Sequence, residues 1–251
     1  MADVPTLLAS LAPIPDIDHA EFGEVEVHKV PRIQAFTGTF LGRNWVTIPH
    51  VTHHDEVDVT ETESRRKAWN AAHPEAKVTP VILLAKAMAD VLAAMPQFNT
   101  SLTADAKSIV QKKYFNIGIA VDTPNGLLVP VVRDVDKKGL TALAGEIAAI
   151  AEKARTKGLS MAEMSGSSMC ITSLGHIGGT AFTPIINAPD VAILGATAIQ
   201  LRPAPGEGGA VVWKQMLPLS LSYDHRVING ADAARFVKAM GEKLADPALF
   251  A

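Results

Sequence analysis

The sequence predicts a single α/β (α+β) domain built on a large mixed β-sheet. Three observations carry this. Stretches with period-two alternation are interleaved with stretches of helical period from about residue 23 to the carboxyl end. Hydrophobic residues are 48% of 251, enough for a large core, and charged residues are 20%, an ordinary globular balance. No internal repeat, low-complexity tract or composition shift divides the chain.

In order, residues 1–16 hold Pro5, Pro13 and Pro15 with little periodicity, and read as a linker or arm that needs a partner surface. Residues 23–30 (GEVEVHKV) alternate and read as a strand. Pro31 suits a first helical position, with Ile33, Phe36 and Leu41 behind it. Residues 45–59 are β-rich, and Pro49 confines them to an edge or a bulge. Thr60 to Glu63 spells a capping box ahead of a helix over 60–72. A mostly buried helix follows over 81–95 and stops before Pro96.

Strands are expected over 109–114, 116–122 and 127–135, the last two joined by a Pro124-Asn125-Gly126 turn. Residues 140–156 place Leu140, Leu143, Ile147, Ile150 and Ala154 on one helical face, with Gly158 as the stop. Further strands are expected over 168–174, 191–199, 211–213 and 216–222, with 203–209 as a hairpin tip. The last strand runs through Asp224-His225-Arg226 into a helix carrying Ala234, Val237 and Met240.

Bulk properties exclude several roles. A net charge of -3 and a pI near 6.2 leave no basic footprint for nucleic acid. The longest apolar stretch, 81–95, contains Lys86 and Asp90 and is too short to span a bilayer. One cysteine, Cys170, excludes an internal disulfide or a Cys-rich zinc site and points to a reducing compartment. The amino terminus lacks the form of a secretory signal, so the cytoplasm is the expected location, or the mitochondrial matrix in a eukaryote. A mean hydropathy of +0.18 reads as core plus subunit interface.

His225 sits at a strand-to-helix break, a rigid mount for a catalytic side chain. It reads either as a general base or as a histidine hydrogen-bonded at a helix start. Asn229, four residues on, could cap that helix or orient the imidazole. Cys170 and Thr172 share one strand face. Cys170 reads as a small core residue, with a nucleophile role as the alternative. Thr172 could donate its hydroxyl to an oxyanion. Arg65, Arg66 and Lys67 form a cationic spot suited to phosphate or merely to solvent. His50 and His54 do not make a metal site: on a strand they lie about 13 Å apart, too far for one zinc ion.

These residues and several longer stretches resemble the catalytic domain of the 2-oxoacid dehydrogenase acyltransferases, the E2 components. The resemblance rests on Asp224-His225-Arg226 with Gly230-Ala231, on WVTIPHVT (45–52), on Phe98-Asn99, on NIGIAVDTPNGLLVPVV (116–132), and on ITSL (171–174) followed by FTPIINAP (182–189). It runs from about Ile17 to the end and is closest in flavour to bacterial acetyltransferases of pyruvate dehydrogenase.

The resemblance implies a chloramphenicol-acetyltransferase-like domain that forms a trimeric building block, and from it a cubic or larger shell. Coenzyme A and a dihydrolipoyl group would be substrates, entering opposite ends of a channel between subunits, with no metal. His225 matches the base and Thr172 the oxyanion donor. Asn229 stands where most members carry Asp, so it would orient His225 without carrying charge. Arg66 matches a position near the coenzyme A phosphates, and Asp122 and Phe182 match channel positions.

No lipoyl or peripheral-subunit-binding domain is apparent, so the lipoyl arm is expected from another chain or a removed segment. The dehydrogenase components (E1 and E3) are the expected partners. The alternatives are a non-catalytic scaffold and a free-standing acetyltransferase acting on a small molecule. Leu249 and Phe250 are expected to dock on a neighbouring trimer.

Overall fold

The structure, a computed structural model, describes residues 14–124 and 126–250. The first half runs α1 (Arg32–Thr47), β1 (His50–Asp58), α2 (Thr60–Ala72), α3 (Pro80–Ala94), β2 (Thr100–Leu102), β3 (Ile109–Gln111), β4 (Ile117–Ile119) and β5 (Val131–Val132). The second half runs α4 (Leu140–Thr156), β6 (Met169–Ser173), β7 (Ala192–Ala196), β8 (Gln200–Pro205), β9 (Val211–Asp224) and α5 (Gly230–Ala245).

The main sheet has seven strands in the order β1-β9-β7-β6-β4-β5, with β8 paired to the first half of β9. β4, β6 and β7 run parallel to one another and the other pairings are antiparallel, so the sheet is mixed as expected. β2 and β3 form a separate ribbon.

Alternation gives the sheet two unlike faces. On one, Ile171, Leu194, Leu219, Leu221 and Tyr223 join the main core with α3, α5 and part of α4. α3 is buried nearly all round, and the Phe98 and Phe236 rings meet at 4.3 Å. Each fully buried Leu or Phe of this kind contributes about 1.5–3 kcal/mol over exposure. On the other face lie Cys170, Thr172, Gly195, Ser220, Ser222 and Asp224, with His50, Thr52 and His54 opposite the last three. That face is mostly polar, with Ile193 and Cys170 joining a small apolar cluster with Ile48 and Ile186, and the functional side chains sit on it or at its end.

Several expectations change. Residues 24–30 form no strand and pair with no strand among the described residues, with Val25, Val27 and Val30 exposed. The β-rich reading of 45–59 was too long, because residues 45–47 complete α1. Pro31 is the residue before α1 rather than its first turn. β1 does lie at the sheet edge, in keeping with Pro49.

No capping box forms at α2. Val59 is its cap residue, the Thr60 hydroxyl donates to Asp58 at 2.6 Å, and Glu63 is held by Arg66. The expected strand at 109–114 is the short β3, outside the main sheet. The strands read at 211–213 and 216–222 are one strand, β9. β8 went unread because of Pro203 and Pro205, which an edge strand tolerates.

Residues 1–13, Asn125 of the expected turn and Ala251 lie outside the described residues. Leu249 is buried in this chain's own core and Phe250 faces Trp69 at 6.4 Å, so within this chain the tail docks internally. No described helix is long and apolar enough to cross a membrane.

Candidate active site

β9 ends at Asp224, and the chain turns through 225–227 before α5. Main-chain bonds fix the turn. Asp224 N–H donates to Val191 O at 2.8 Å and His225 N–H donates to Pro49 O at 3.1 Å. Val227 and Ile228 N–H groups both donate to Asp224 O at 3.0 Å. The buried Asp224 carboxylate accepts from Arg226 N–H at 3.0 Å and from its guanidinium at 2.6 and 2.9 Å. That bonding holds the Arg226 guanidinium above its ordinary pKa. The His225 side chain is exposed, its ring 5.8 Å from that of Tyr223. An exposed imidazole on an immobilised backbone suits proton transfer.

Asn229 occupies the cap position of α5, and its carbonyl accepts from Asp232 and Ala233 N–H at 3.0 Å. Its side chain makes no cap hydrogen bond and is exposed. Of the two roles open to it, capping is therefore not in use.

Thr172 stands in a single row across the polar face. It pairs with Gly195, Gly195 with Ser220, and Ser220 with His54. The Phe182 ring covers Gly195 so closely that a Cβ there would meet its Cζ at 2.6 Å. Phe182 N–H points at the Ser220 hydroxyl at 3.4 Å, which also bonds His54 Nδ1 at 2.9 Å. Ser173 has the opposite parity, and its hydroxyl accepts from Gly175 N–H at 3.2 Å.

Cys170 shares Thr172's face but is buried, with Asn187 Nδ2 at 3.5 Å and Asp190 Oδ2 at 3.4 Å from its sulfur. Burial first, and the Asp190 charge second, push its thiol far above the usual range. A group held as a thiol is no nucleophile, so the core reading of Cys170 holds.

The row of Thr172 and the turn of His225 do not meet within one chain. From Ser220 to Asp224 is about 14 Å along the strand, and from Thr172 to Ser220 about 10 Å across two strand spacings, roughly 17 Å in all. Side chains of these lengths do not close that gap.

The other expected residues lie elsewhere. Arg66, on α2, gives Nε and Nη2 to the Glu63 carboxylate at 2.7 Å each and Nη1 to Val78 O at 3.1 Å. The Glu63 bonds raise its pKa further. Arg65 reaches Ala245 O, and Lys67 is exposed. Asp122 is exposed just past the Val121–Leu128 bridge, where Gly126, at φ +124°, lets the loop turn back.

Sequence reasoning passed over Ser220 and kept His50 and His54 only as rejected metal ligands. The available signal was the His50, Thr52, His54 alternation. Among the described residues, no three His, Cys, Asp or Glu side chains gather as a metal site.

Comparison with known proteins gives this geometry a setting. The family described as 2-oxoacid dehydrogenases acyltransferase (catalytic domain) matches residues 22–251. The acetyltransferase component of the Pseudomonas aeruginosa pyruvate dehydrogenase complex is 52% identical over 95% of this chain and 44% of its own length. The Azotobacter vinelandii component is 51% identical over 92% of this chain and 36% of its own length. The chain thus spans less than half the length of these curated relatives.

A solved structure of Azotobacter vinelandii dihydrolipoamide acetyltransferase superposes with a TM-score of 0.92 at 50% identity, covering 96% of this chain and all of that one. That work concerned a serine, a histidine and an asparagine in its catalytic mechanism. The histidine and asparagine are four residues apart, as His225 and Asn229 are. A solved cubic core of the pyruvate dehydrogenase multienzyme complex fits with the same TM-score, identity and coverage. Chloramphenicol acetyltransferase, at 14% identity and a TM-score of 0.56 over 81% of this chain and 94% of its own, shares the fold. The chain belongs to the 2-oxoacid dehydrogenase acyltransferase family, whose catalytic domain its residues 22–251 match.

Proposed function

We propose that this chain is a dihydrolipoyllysine-residue acetyltransferase, moving an acetyl group between a dihydrolipoyl thiol and coenzyme A. The observation that carries the reading is His225: an exposed imidazole on a turn locked by main-chain bonds, with an unemployed amide four residues on. The imidazole takes the proton of the attacking thiol. The sulfur adds to the thioester carbonyl carbon, and the oxyanion accepts a hydrogen bond from the Thr172 hydroxyl, which keeps its proton. The bond to the departing sulfur then breaks, and that sulfur takes the proton back from the imidazolium. No acyl-enzyme forms, which agrees with the inert Cys170.

Spacing alone leaves the oxyanion donor open. In the Azotobacter enzyme the serine lies 52 residues before the histidine, whereas here Thr172 lies 53 before and Ser173 lies 52. Geometry favours Thr172, because Ser173 is on the core-facing parity with its hydroxyl engaged by Gly175. One extra residue in the β8–β9 hairpin would account for the offset. Asn229 orients the ring and carries no charge, and Phe182 and Asp122 line the approach.

Arg66 would offer coenzyme A a phosphate contact only in exchange for a Glu63 bond. The exposed Lys67 has no such cost.

Because His225 and Thr172 are about 17 Å apart in one chain by strand geometry, each site is completed by a second copy, most simply in a trimer. The exposed Phe22, Val27, Leu201 and Trp213 support further assembly, a cubic core being the form solved for a relative. The lipoyl arm comes from another chain or segment, and the dehydrogenase components (E1 and E3) complete the complex in the cytoplasm.

The test is acetyl-coenzyme A with dihydrolipoamide, followed by mass spectrometry of S-acetyl-dihydrolipoamide. Product that disappears in His225→Ala, with the oligomer intact, supports the reading. No product from the wild-type chain would leave only the scaffold role.

A further inference from the structure

We propose that His50 is a positioning residue for His225, working as a neutral imidazole held in one tautomer. The proposal rests on the reading of His225 as the base. His50 Nδ1 lies 2.9 Å from Ile48 O, and Ile186 N–H lies 3.0 Å from His50 Nε2. A carbonyl only accepts and an amide N–H only donates. Nδ1 therefore carries the hydrogen and Nε2 the lone pair. The opposite tautomer, or the cation, would set two donors face to face at Ile186.

The two segments that His50 ties together are those that hold the catalytic turn. One residue past Ile48, Pro49 O accepts His225 N–H. Five residues past Ile186, Val191 O accepts Asp224 N–H. His50 is also the register partner of Asp224 across β1 and β9. The bracket is braced from behind, since Trp45 packs on the His50 ring at 5.3 Å and Asn44 Nδ2 donates to Ile186 O at 2.9 Å. His50 thus sets the spacing between the two carbonyls from which the His225 turn hangs. A displacement of about 1 Å at a reacting group can cost on the order of a hundredfold in rate.

The test uses the full chain and the acetyl-coenzyme A and dihydrolipoamide assay. His50→Phe keeps a ring beside Trp45 and removes both bonds; kcat is expected to fall roughly ten- to a hundredfold with both KM values within about twofold. His50→Gln, which can donate to one segment and accept from the other, is expected to restore most of that loss. His73 Nδ1 also lies 3.1 Å from a carbonyl, Trp69 O, so a nitrogen-15 spectrum of histidine-labelled wild-type assembly should show a signal with Nδ1 protonated and Nε2 bare that is lost in His50→Gln while the His73 signal stays. This readout needs neither activity nor a folded His50→Phe.

His50→Phe at wild-type kcat, a rise in KM alone, no rescue by Gln, or a His50 protonated at Nε2 would each overturn the inference. If the wild type is active and depends on His225, such a result sinks the role of His50 alone. A wild type without transferase activity sinks the base assignment and the inference with it.

Discussion

Coexpression of His225→Ala and Thr172→Ala chains under different affinity tags tests whether one site draws on two copies. Alone, His225→Ala is expected to lose nearly all transfer, and Thr172→Ala about a hundredfold by loss of one oxyanion donor. The row of Thr172 and the end of β9 are about 14 Å apart along the strand and about 10 Å apart across the sheet. A site containing both residues therefore takes His225 from one copy and Thr172 from the next. In a cyclic trimer containing both chain types, whichever is in excess, one junction places an intact histidine beside an intact threonine. Trimers purified on both tags should thus show about a third of wild-type turnover, far above either parent. The assay is initial-rate acetyl transfer to dihydrolipoamide, normalised to chain concentration. Mixed trimers no more active than the mean of the two parents would refute the separation, because a site contained in one chain gains nothing from mixing.

Thr172→Ala should lower kcat much more than it raises either KM; the reverse pattern would make Thr172 a binding residue. Asn229→Ala should cost well under the ~1 kcal/mol usual for a lost cap, since its side chain makes no cap bond, yet reduce kcat; thermal melts and rates of the same preparation check both. Gly195→Ala must displace the Phe182 ring, whose Cζ would lie 2.6 Å from the new Cβ. A loss of about 1–3 kcal/mol from overpacking is expected, together with lower kcat/KM. Lys112 Nζ bonds the buried Asp190 at 2.8 Å, and Lys112→Met leaves that carboxylate unpaired, so denaturant titration should show a loss of about 3–5 kcal/mol. Cys170, its thiol held far above the usual range by burial and by Asp190, should resist iodoacetamide in the native protein at pH 8.5 and react on unfolding, as read by mass spectrometry.

The elements that could be read from sequence are those whose signal is local. Leu140, Leu143 and Ala154 recur at helical spacing, and the helix occupies 140–156 as read. Pro80 and Pro96 bracket α3, so its ends fell within a residue of the reading. Alternation at 23–30 failed because it defines a face and not a neighbour: Val25 and Val27 alternate, but among the described residues no strand pairs with them. The Thr60–Glu63 box failed because two partners outside the four-residue pattern, Asp58 and Arg66, compete for the same side chains.

The site divides in the same way. His225 and Asn229 are four residues apart and were visible together. Thr172, Phe182, Ser220 and His54 meet only through the pairing of β6, β7, β9 and β1, and pairing among distant segments leaves no mark in local spacing. His50 was passed over for a related reason, because a metal reading asks what two histidines share, whereas His50 bonds the main chain at Ile48 and Ile186 and His54 bonds the Ser220 hydroxyl.

The turn beyond β9 is held through the amides of residues 224–228 and the Asp224 carboxylate, and the His225 imidazole supplies none of these bonds. Position 225 is in effect a socket: the framework is complete before its occupant is chosen. A cysteine there could carry a spectroscopic label, or an unnatural imidazole of shifted basicity could replace the native ring. Either would report from the turn beyond β9 while leaving the scaffold as it was.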